Sequence, residues 1–301
     1  MHSSNTALLM MNRSAGRAQV DRLSERLGFA FESYGVNLQT FSWDHTEVDQ
    51  IKSRVEKAIA DRITTVIAAG GDGTVSRIGQ MLIGSDTRLG IIPLGTANLI
   101  AKELRIPLDI EDAINVIVEA SAIRKIDGMR CLDRTFFSHV SMGTYSRLAE
   151  LATPAQKARF GKAAYLWHGV REIVKRRRWV FDITIDDRRF ERDASLVLVA
   201  NIGAFGIGQL TWGRHIAIDD QKVDVCIVKA ITPSDYSRLS VNLVSQSLHR
   251  SKYVEYFQAE KSVRVSTSSD LVVRGDGNRT DASVIDLQIL PAAVSVLVGT
   301  T

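Results

Sequence analysis

Between residues 66 and 76 the chain reads VIAAGGDGTVS. Four apolar residues, Val66, Ile67, Ala68 and Ala69, run directly into Gly70-Gly71-Asp72-Gly73-Thr74. Val75, Ile78 and Leu82 then recur at the spacing of one helix face, so the pattern predicts a strand, a glycine turn and, after Thr74, a helix. Glycine admits φ > 0 and lets a ligand come close to the backbone. A helix N-terminus adds unpaired N–H donors and positive potential, which together suit phosphate. The acid inside the turn narrows the reading further. A carboxylate among phosphate oxygens repels them unless a divalent cation lies between. The stretch predicts a metal–nucleotide site, and a plain glycine turn between strand and helix is the competing reading.

The same alternation extends on both sides. Residues 7–11 read as a strand ending at Asn12-Arg13-Ser14-Ala15-Gly16, followed by a helix with Val20, Leu23 and Leu27 on one face. Residues 36–41 read as a second strand, and residues 48–60 as an amphipathic helix through Val48, Ile51, Val55 and Ile59. Residues 89–92 form a further strand, then the loop Pro93-Leu94-Gly95-Thr96-Ala97-Asn98, then a helix from residue 99 to 104. Strands alternating with helices at these lengths imply parallel pairing through right-handed crossovers. Ligands of such sheets lie beyond the carboxyl ends of the strands, where both glycine loops fall.

After about Asp127 the texture changes. Residues 136–140, 179–185, 195–200, 223–228, 262–266, 271–274 and 284–290 read as strands, often alternating, which predicts an antiparallel layout. Two helical excursions interrupt it, at residues 154–175 (Phe160, Ala164, Trp167, Val174) and 233–248. The expected organisation is an α/β nucleotide-binding domain over residues 1–127 and a β-rich antiparallel domain over 128–301, whose last strand is at liberty to return to the first domain.

Other features limit the function. The two cysteines, Cys131 and Cys226, match no metal or redox spacing, and the six histidines show no i, i+4 pair. The N-terminus lacks a basic region before its short apolar run, and the uncharged residues 196–210 are too few and too glycine-broken to span a bilayer. A cytoplasmic protein, peripheral at a membrane surface at most, is expected. The net charge of +4 is mild and gives no ground for a nucleic-acid partner. The Walker pattern is absent, so a nucleotide here is not held by a P-loop. The glycine run at 203–208 reads as a β-edge loop permitting close approach. Arg171 and residues 175–178 form a basic run ending at Trp179. It reads as a solvated helix end or as a contact with anionic lipid. Near the C-terminus, Asp276 stands between Gly275 and Gly277. That pattern makes either a tight turn or an acid presented in the open, as a general base must be.

Taken together, these pieces resemble the diacylglycerol kinase family, which includes the sphingosine kinases, and within it the bacterial soluble lipid kinases. The resemblance runs along nearly the whole chain. Residues 12–16 resemble the family's N-P-x-S-G element, with Arg13 at the proline. Residues 70–74 carry its GGDGT signature, residues 93–98 its P-L-G-T-x-N loop, and Ile126-Asp127-Gly128 its acid at the end of the first domain. Lys162-Ala163-Ala164-Tyr165, Val199-Ala200-Asn201, Ile218-Asp219-Asp220 and Asp276-Gly277 fall where the family has similar pieces.

The resemblance implies an ATP- and Mg²⁺-dependent kinase acting on a lipid hydroxyl at a membrane surface, with a homodimer allowed. Its fold would be an NAD kinase- or diacylglycerol kinase-like α/β domain followed by a β-rich domain, with the active site in the cleft between them. By position, Gly70, Gly71, Asp72, Gly73, Thr74, Gly95, Thr96 and Asn98 would hold the nucleotide, with Asn12 and Ser14 nearby. Asp72 and Asp127 would belong to the Mg²⁺–water network, and Asp276 would take the proton of the attacking hydroxyl. Phosphoryl transfer needs those parts: in-line positioning, metal neutralisation and an orienting base.

Three departures qualify the resemblance. Leu99 stands where diacylglycerol kinases usually carry an acid after the loop asparagine, Asn278 where the family has Glu in D-G-E, and Ser76-Arg77 where it often has N-E. Leu99 and Asn278 each remove a carboxylate. They keep a second reading open, a nucleotide- or lipid-binding protein of the same fold with weakened catalysis. NAD kinase, which shares GGDGT, is a third reading that the P-L-G-T-A-N loop and the single DG turn fit poorly.

Overall fold

The computed structural model describes residues 6–12, 17–43, 48–119, 122–144, 178–204, 210–213 and 215–300. Ser14, the Lys162–Tyr165 piece, the helix expected at 154–175, Arg171 and most of the 203–208 glycine run lie outside the described residues. The chain divides into two units: Met1–Gly128 with Pro291–Thr301, and Met129–Leu290.

The first unit runs β1 (Thr6–Asn12), α1 (Arg17–Ser33), β2 (Asn37–Trp43), α2 (Val48–Ala60), β3 (Thr65–Gly70), α3 (Asp72–Leu82), β4 (Arg88–Pro93), α4 (Leu99–Glu103), α5 (Ile110–Glu119) and then β5 (Ala122–Cys131), along which the chain leaves the unit. The strands stand in the order β2-β1-β3-β4 and pair in parallel. β1 and β3 are almost wholly buried, the continuous apolar reading of parallel strands covered on both faces. On one face Leu27 and Phe31 of α1 and Ile114 and Ile117 of α5 pack over Leu9, Met11, Ile67 and Ile92. The sequence had indicated no helix at residues 110–119, and their place against the sheet supplies the covering that β4 requires.

The second unit runs from the end of β5 through β6 (Arg134–Phe136), β7 (His139–Gly143), β8 (Trp179–Ile185), β9 (Arg188–Ala194), β10 (Leu196–Ala200), β11 (Val223–Val228), α6 (Pro233–Val244), β12 (Val254–Ala259), β13 (Ser262–Ser266), β14 (Val273–Gly275), β15 (Asn278–Arg279) and the start of β16 (Ile285–Val298). One sheet runs β12-β11-β10-β7-β14-β15. The first residues of β16, with β13, β8 and β9, pair antiparallel in another. One apolar core, with Val140, Val197, Val225 and Val273 from the first sheet and Phe181, Ile183, Val263 and Leu287 from the other, lies in this sandwich. The α/β-then-antiparallel-β class expected from the sequence is what the chain adopts.

β16 is longer than the strand expected at 284–290. Its early residues pair with β13, and Val296 pairs in parallel with Leu89 of β4 in the first unit. Four strands, β5, β9, β12 and the two-residue β15, escaped the sequence reading altogether. β9 reads RRFERDA, whose charges mask its pairing with β8, and β12 reads VEYFQA. The strand expected at 136–140 is broken at Phe137 and Ser138, for a reason that lies in the site below.

Phe181 is fully buried in the sandwich core. Phe181→Ala is expected to cost the second unit about 3–5 kcal/mol, read as a lowered urea midpoint, with Phe181→Leu costing far less.

Candidate active site

In the first unit, strand order reverses between β1 and β3, since the chain passes from β1 outward to β2 and then back across to β3. Ligands of open α/β sheets bind at this switch point, at the carboxyl edge. Registers Met11↔Ala69 and Gly70↔Pro93 bring Asn12, Gly70 and Pro93 to that edge on three adjacent strands.

Helix α3 begins at Asp72, three residues earlier than the sequence pattern predicted, with Gly71 as its N-cap and no side chain capping it. Asp72, Gly73 and Thr74 are therefore its first turn, at the end of the helix that points N–H groups outward. The helix starts there because Gly71 accepts the N–H groups of Thr74 and Val75 through its carbonyl, at 2.9 and 3.1 Å.

The two glycine loops meet backbone to backbone. Leu94 donates its N–H to the Gly70 carbonyl at 2.9 Å. A Cβ on Gly95 would lie 2.5 Å from the Gly71 Cα, and one on Gly70 would strike the Thr74 side chain. Asn98 braces the second loop internally. Its Oδ1 accepts the Gly95 N–H at 2.9 Å and its Nδ2 donates to the Gly95 carbonyl at 2.8 Å. It does so from the left-handed conformation, at φ +48°, and is itself buried. Thr96 at the loop tip is exposed. Asp72 reaches across to the same loop, where its Oδ1 accepts the Ile100 N–H at 3.0 Å and so closes the start of α4. Leu99, the position of the family's second acid, is the first residue of that helix.

Asp127 lies on β5 and is only 1% exposed, and its Oδ1 accepts the Ala292 N–H at 2.7 Å, where the returning strand takes φ +49°. Among the described residues no three His, Cys, Asp or Glu side chains gather as a metal cage. Mg²⁺ is commonly held by one or two carboxylates, with phosphates and water completing its shell. The hard oxygens of Asp72 and Asp127 suit a metal carried in with a nucleotide, and the side-chain-free contact of Gly71 with Gly95 suits phosphate approach.

In the second unit, Asp276 and Gly277 are the two-residue loop of a hairpin, since Gly275 pairs with Asn278 and both loop residues have positive φ, 47° and 78°. Asp-Gly is the sequence that this turn selects. The side chain does more than turn the chain. Its Oδ1 accepts the Ser138 N–H at 2.8 Å, the Ser138 hydroxyl at 2.5 Å and the His139 N–H at 3.3 Å, and its Oδ2 accepts the Phe137 N–H at 3.0 Å. Those N–H groups turn to the carboxylate instead of a neighbouring strand, which is why the strand expected at 136–140 breaks. Gly275 leaves room for the Phe136 ring beside the hairpin.

Asn201 holds the same segment from the other side, donating its side-chain amide to the Phe137 carbonyl at 3.0 Å and its backbone N–H to the Ser138 carbonyl at 2.9 Å. His139 follows, with Nε2 3.1 Å from the Ile202 carbonyl. Burial pushes its pKa down to about 4, against the opposing pull of the Asp276 charge. The ring is neutral near pH 7, and because a carbonyl only accepts, Nε2 carries the proton. The structure thus gathers two family-like pieces, Asn201 and Asp276, on Phe137–His139. The sequence reading missed Ser138 and His139. Their only signal was polar side chains inside an otherwise apolar run.

A further polar pair was also missed. His215 Nε2 lies 3.1 Å from Oδ1 of the buried Asp224, whose pKa burial raises and His215 lowers.

An α/β unit with glycine loops at its carboxyl edge is thus followed by an antiparallel sandwich that bears a loop carboxylate. A family model described as the diacylglycerol kinase catalytic domain matches residues 6–131. A second, described as the YegS C-terminal NAD kinase beta sandwich-like domain, matches residues 138–298, more than half of the chain. The chain is 30% identical over 307 residues to "Probable lipid kinase YegS-like" of Yersinia pestis (strain Pestoides F), covering 96% of this chain and 95% of that one. It is 27% identical over 296 residues to the protein of the same name in Pectobacterium atrosepticum, covering 96% and 94%. Among solved structures, a diacylglycerol kinase from Bacillus anthracis superposes with a TM-score of 0.69 at 18% identity, over 99% of this chain and 98% of that one. A second crystal structure from that organism gives a TM-score of 0.79 at 20% identity, over 99% and 98%. Likeness at such identities speaks for the fold alone. The chain belongs to the diacylglycerol kinase family, in its YegS-like branch of lipid kinases.

Two outcomes test this geometry. Asp72→Ala strips the acceptor from the Ile100 N–H and is expected to cost about 1–3 kcal/mol, whereas Asp72→Asn, which keeps an acceptor oxygen, restores most of it; thermal melts of both variants measure this. His139 has a folded pKa below its unfolded one, so the unfolded chain binds more protons between about pH 4 and 6.5. Stability should climb across that window, by at most about 3 kcal/mol, and His139→Gln should flatten this part of the stability–pH curve.

Proposed function

We propose that this protein transfers the γ-phosphoryl group of ATP, with Mg²⁺, to a hydroxyl of a diacylglycerol-like membrane lipid. The observation that carries the proposal is the backbone contact of Gly71 with Gly95 at the sheet's switch point, beside a helix start that no side chain caps. The backbone at Gly71, Asp72 and Gly73 that opens α3 would orient the phosphates, with Thr74 beside it. Gly70, Gly95, Thr96, Asn98 and Asn12 would shape the surrounding loops, with Ser14 on the neighbouring segment. Asp72, and Asp127 through bound water, would hold the metal. Mg²⁺ bound with the nucleotide would neutralise the charge developing on the transferred group. Asp276 would accept the proton of the attacking hydroxyl, its carboxylate held in one orientation by Phe137, Ser138 and His139. A protein of the YegS-like branch without a membrane-crossing helix among its described residues would meet its acceptor at the bilayer surface.

A second reading has an observation of its own. Both Asp276 oxygens already accept hydrogen bonds, and Leu99 and Asn278 each withhold a carboxylate that the family usually supplies. That combination favours a nucleotide- or lipid-binding protein with little turnover. Incubating the purified protein with labelled ATP, Mg²⁺ and a lipid panel separates the two. Labelled lipid establishes the kinase, and ATP binding without transfer supports the weaker role. In a working kinase, Asp276→Asn is expected to lower the turnover at least about a hundredfold while ATP affinity is retained. Full activity in that variant would overturn the assignment of the base.

A further inference from the structure

Helix α6 lies on the outside of the second unit, and none of its 12 residues is buried. Tyr236, Leu239 and Leu243 form its inward side, packing on the cluster that contains Leu198, Cys226 and Leu248. Val241 and Val244, three residues apart, emerge together on the outward side at 66% and 71% exposure. The other exposed residues of the helix are Pro233, Ser234, Ser237, Arg238 and Ser240, of which Arg238 alone is charged. A surface helix ordinarily turns charge to solvent on that side; this one turns two valines.

Cations stand on the helix and just beyond its end. Arg238 donates to the Tyr253 hydroxyl at 3.3 Å, and the Lys252 ammonium sits 5.3 Å from the Tyr253 ring centre. Arg250 and Lys252 are exposed beyond the helix end. The helix's own acid, Asp235, is taken up by the cap, where it accepts the Ile231 and Thr232 N–H groups. Glu255, next along the chain, is paired with Lys229 and Arg192. The exposed surface of α6 and of the residues just beyond it therefore joins two valines to cations, with Arg238 three residues from Val241 and bonded to the tyrosine that Lys252 faces.

We propose that the α6 face, from Val241 and Val244 to Arg250 and Lys252, docks on an anionic phospholipid surface. Apolar side chains enter the headgroup–acyl boundary while basic ones meet lipid phosphates, and aromatic rings favour that depth. A second copy of the chain is the poorer occupant, because a two-fold contact of this face brings the cations of one copy towards those of the other. The inference rests on the proposal that the phosphoryl acceptor is a membrane lipid, and it names the surface by which the protein reaches that lipid.

Flotation of the full chain with vesicles, without nucleotide, tests it. Vesicles of phosphatidylcholine with phosphatidylglycerol should bind the protein, and phosphatidylcholine alone should bind it far less. Val241→Asp with Val244→Asp, and separately Arg250→Glu with Lys252→Glu, should each weaken binding at least about tenfold. Turnover on a short-chain, water-soluble diacylglycerol should be equal in wild type and both variants. The Arg250/Lys252 variant changes exposed charges only and keeps the test decisive should the aspartates disturb α6. Wild-type flotation that is absent, or unchanged in the variants, overturns the proposal. So does loss of a dimer in the valine variant, measured by sedimentation, which would assign the face to self-association. Vesicle binding that behaves as expected, with no turnover on any acceptor, would overturn the kinase reading and leave the docking surface standing.

Discussion

The first unit depends on one contact without side chains, the approach of Gly71 to Gly95. A Cβ on either residue would crowd the opposite backbone, with only 2.5 Å between the Gly71 Cα and a Cβ on Gly95. Because the loops touch, Leu94 can donate to Gly70, and Asp72 at the head of α3 can reach the N–H that opens α4. Asn98 can then hold the second loop in a left-handed turn by bonding both polar groups of Gly95. Two helix starts and two loops become one rigid edge. In the proposed nucleotide site, the positive potential at this edge would come from backbone dipoles, which cost no side-chain entropy to order.

In the second unit a carboxylate does for three chain segments what a sheet ladder does elsewhere. Asp276 satisfies N–H groups at residues 137–139 that have left the strand pattern, and Asn201 satisfies the carbonyls of Phe137 and Ser138 on the same stretch. Buried backbone groups must be paired somewhere, so the break after β6 and the hairpin at Asp276 are two sides of one arrangement. His139 is kept neutral beside it by burial. The price of this economy is that one side chain serves structure and proposed chemistry together, so a single substitution there touches both.

Much of the fold was legible. Apolar runs that end in glycine loops marked β1, β3 and β4 as buried parallel strands, and the later alternation marked the antiparallel unit. The misreadings are instructive about local signals. α3 starts at Asp72 because Gly71 can cap it through its own carbonyl, and hydrophobic spacing, which begins only at Val75, is blind to that. β9 was hidden because a strand's exposed edge carries Arg and Glu, and its pairing with β8 is made by backbone. Asp127 reads in sequence as one acid among many, yet it is sealed and bonded to Ala292, 165 residues away.

The sequence by itself determined which loops are glycine, where acids stand within them and which segments must be buried, since these follow from conformational freedom, charge and apolar periodicity along the chain. The tertiary structure alone decided what each polar group is bonded to. Asp72 meets Ile100, Asp127 meets Ala292 and Asp276 meets Ser138. Hydrogen bonds between distant segments depend on register and loop closure, which no local pattern encodes.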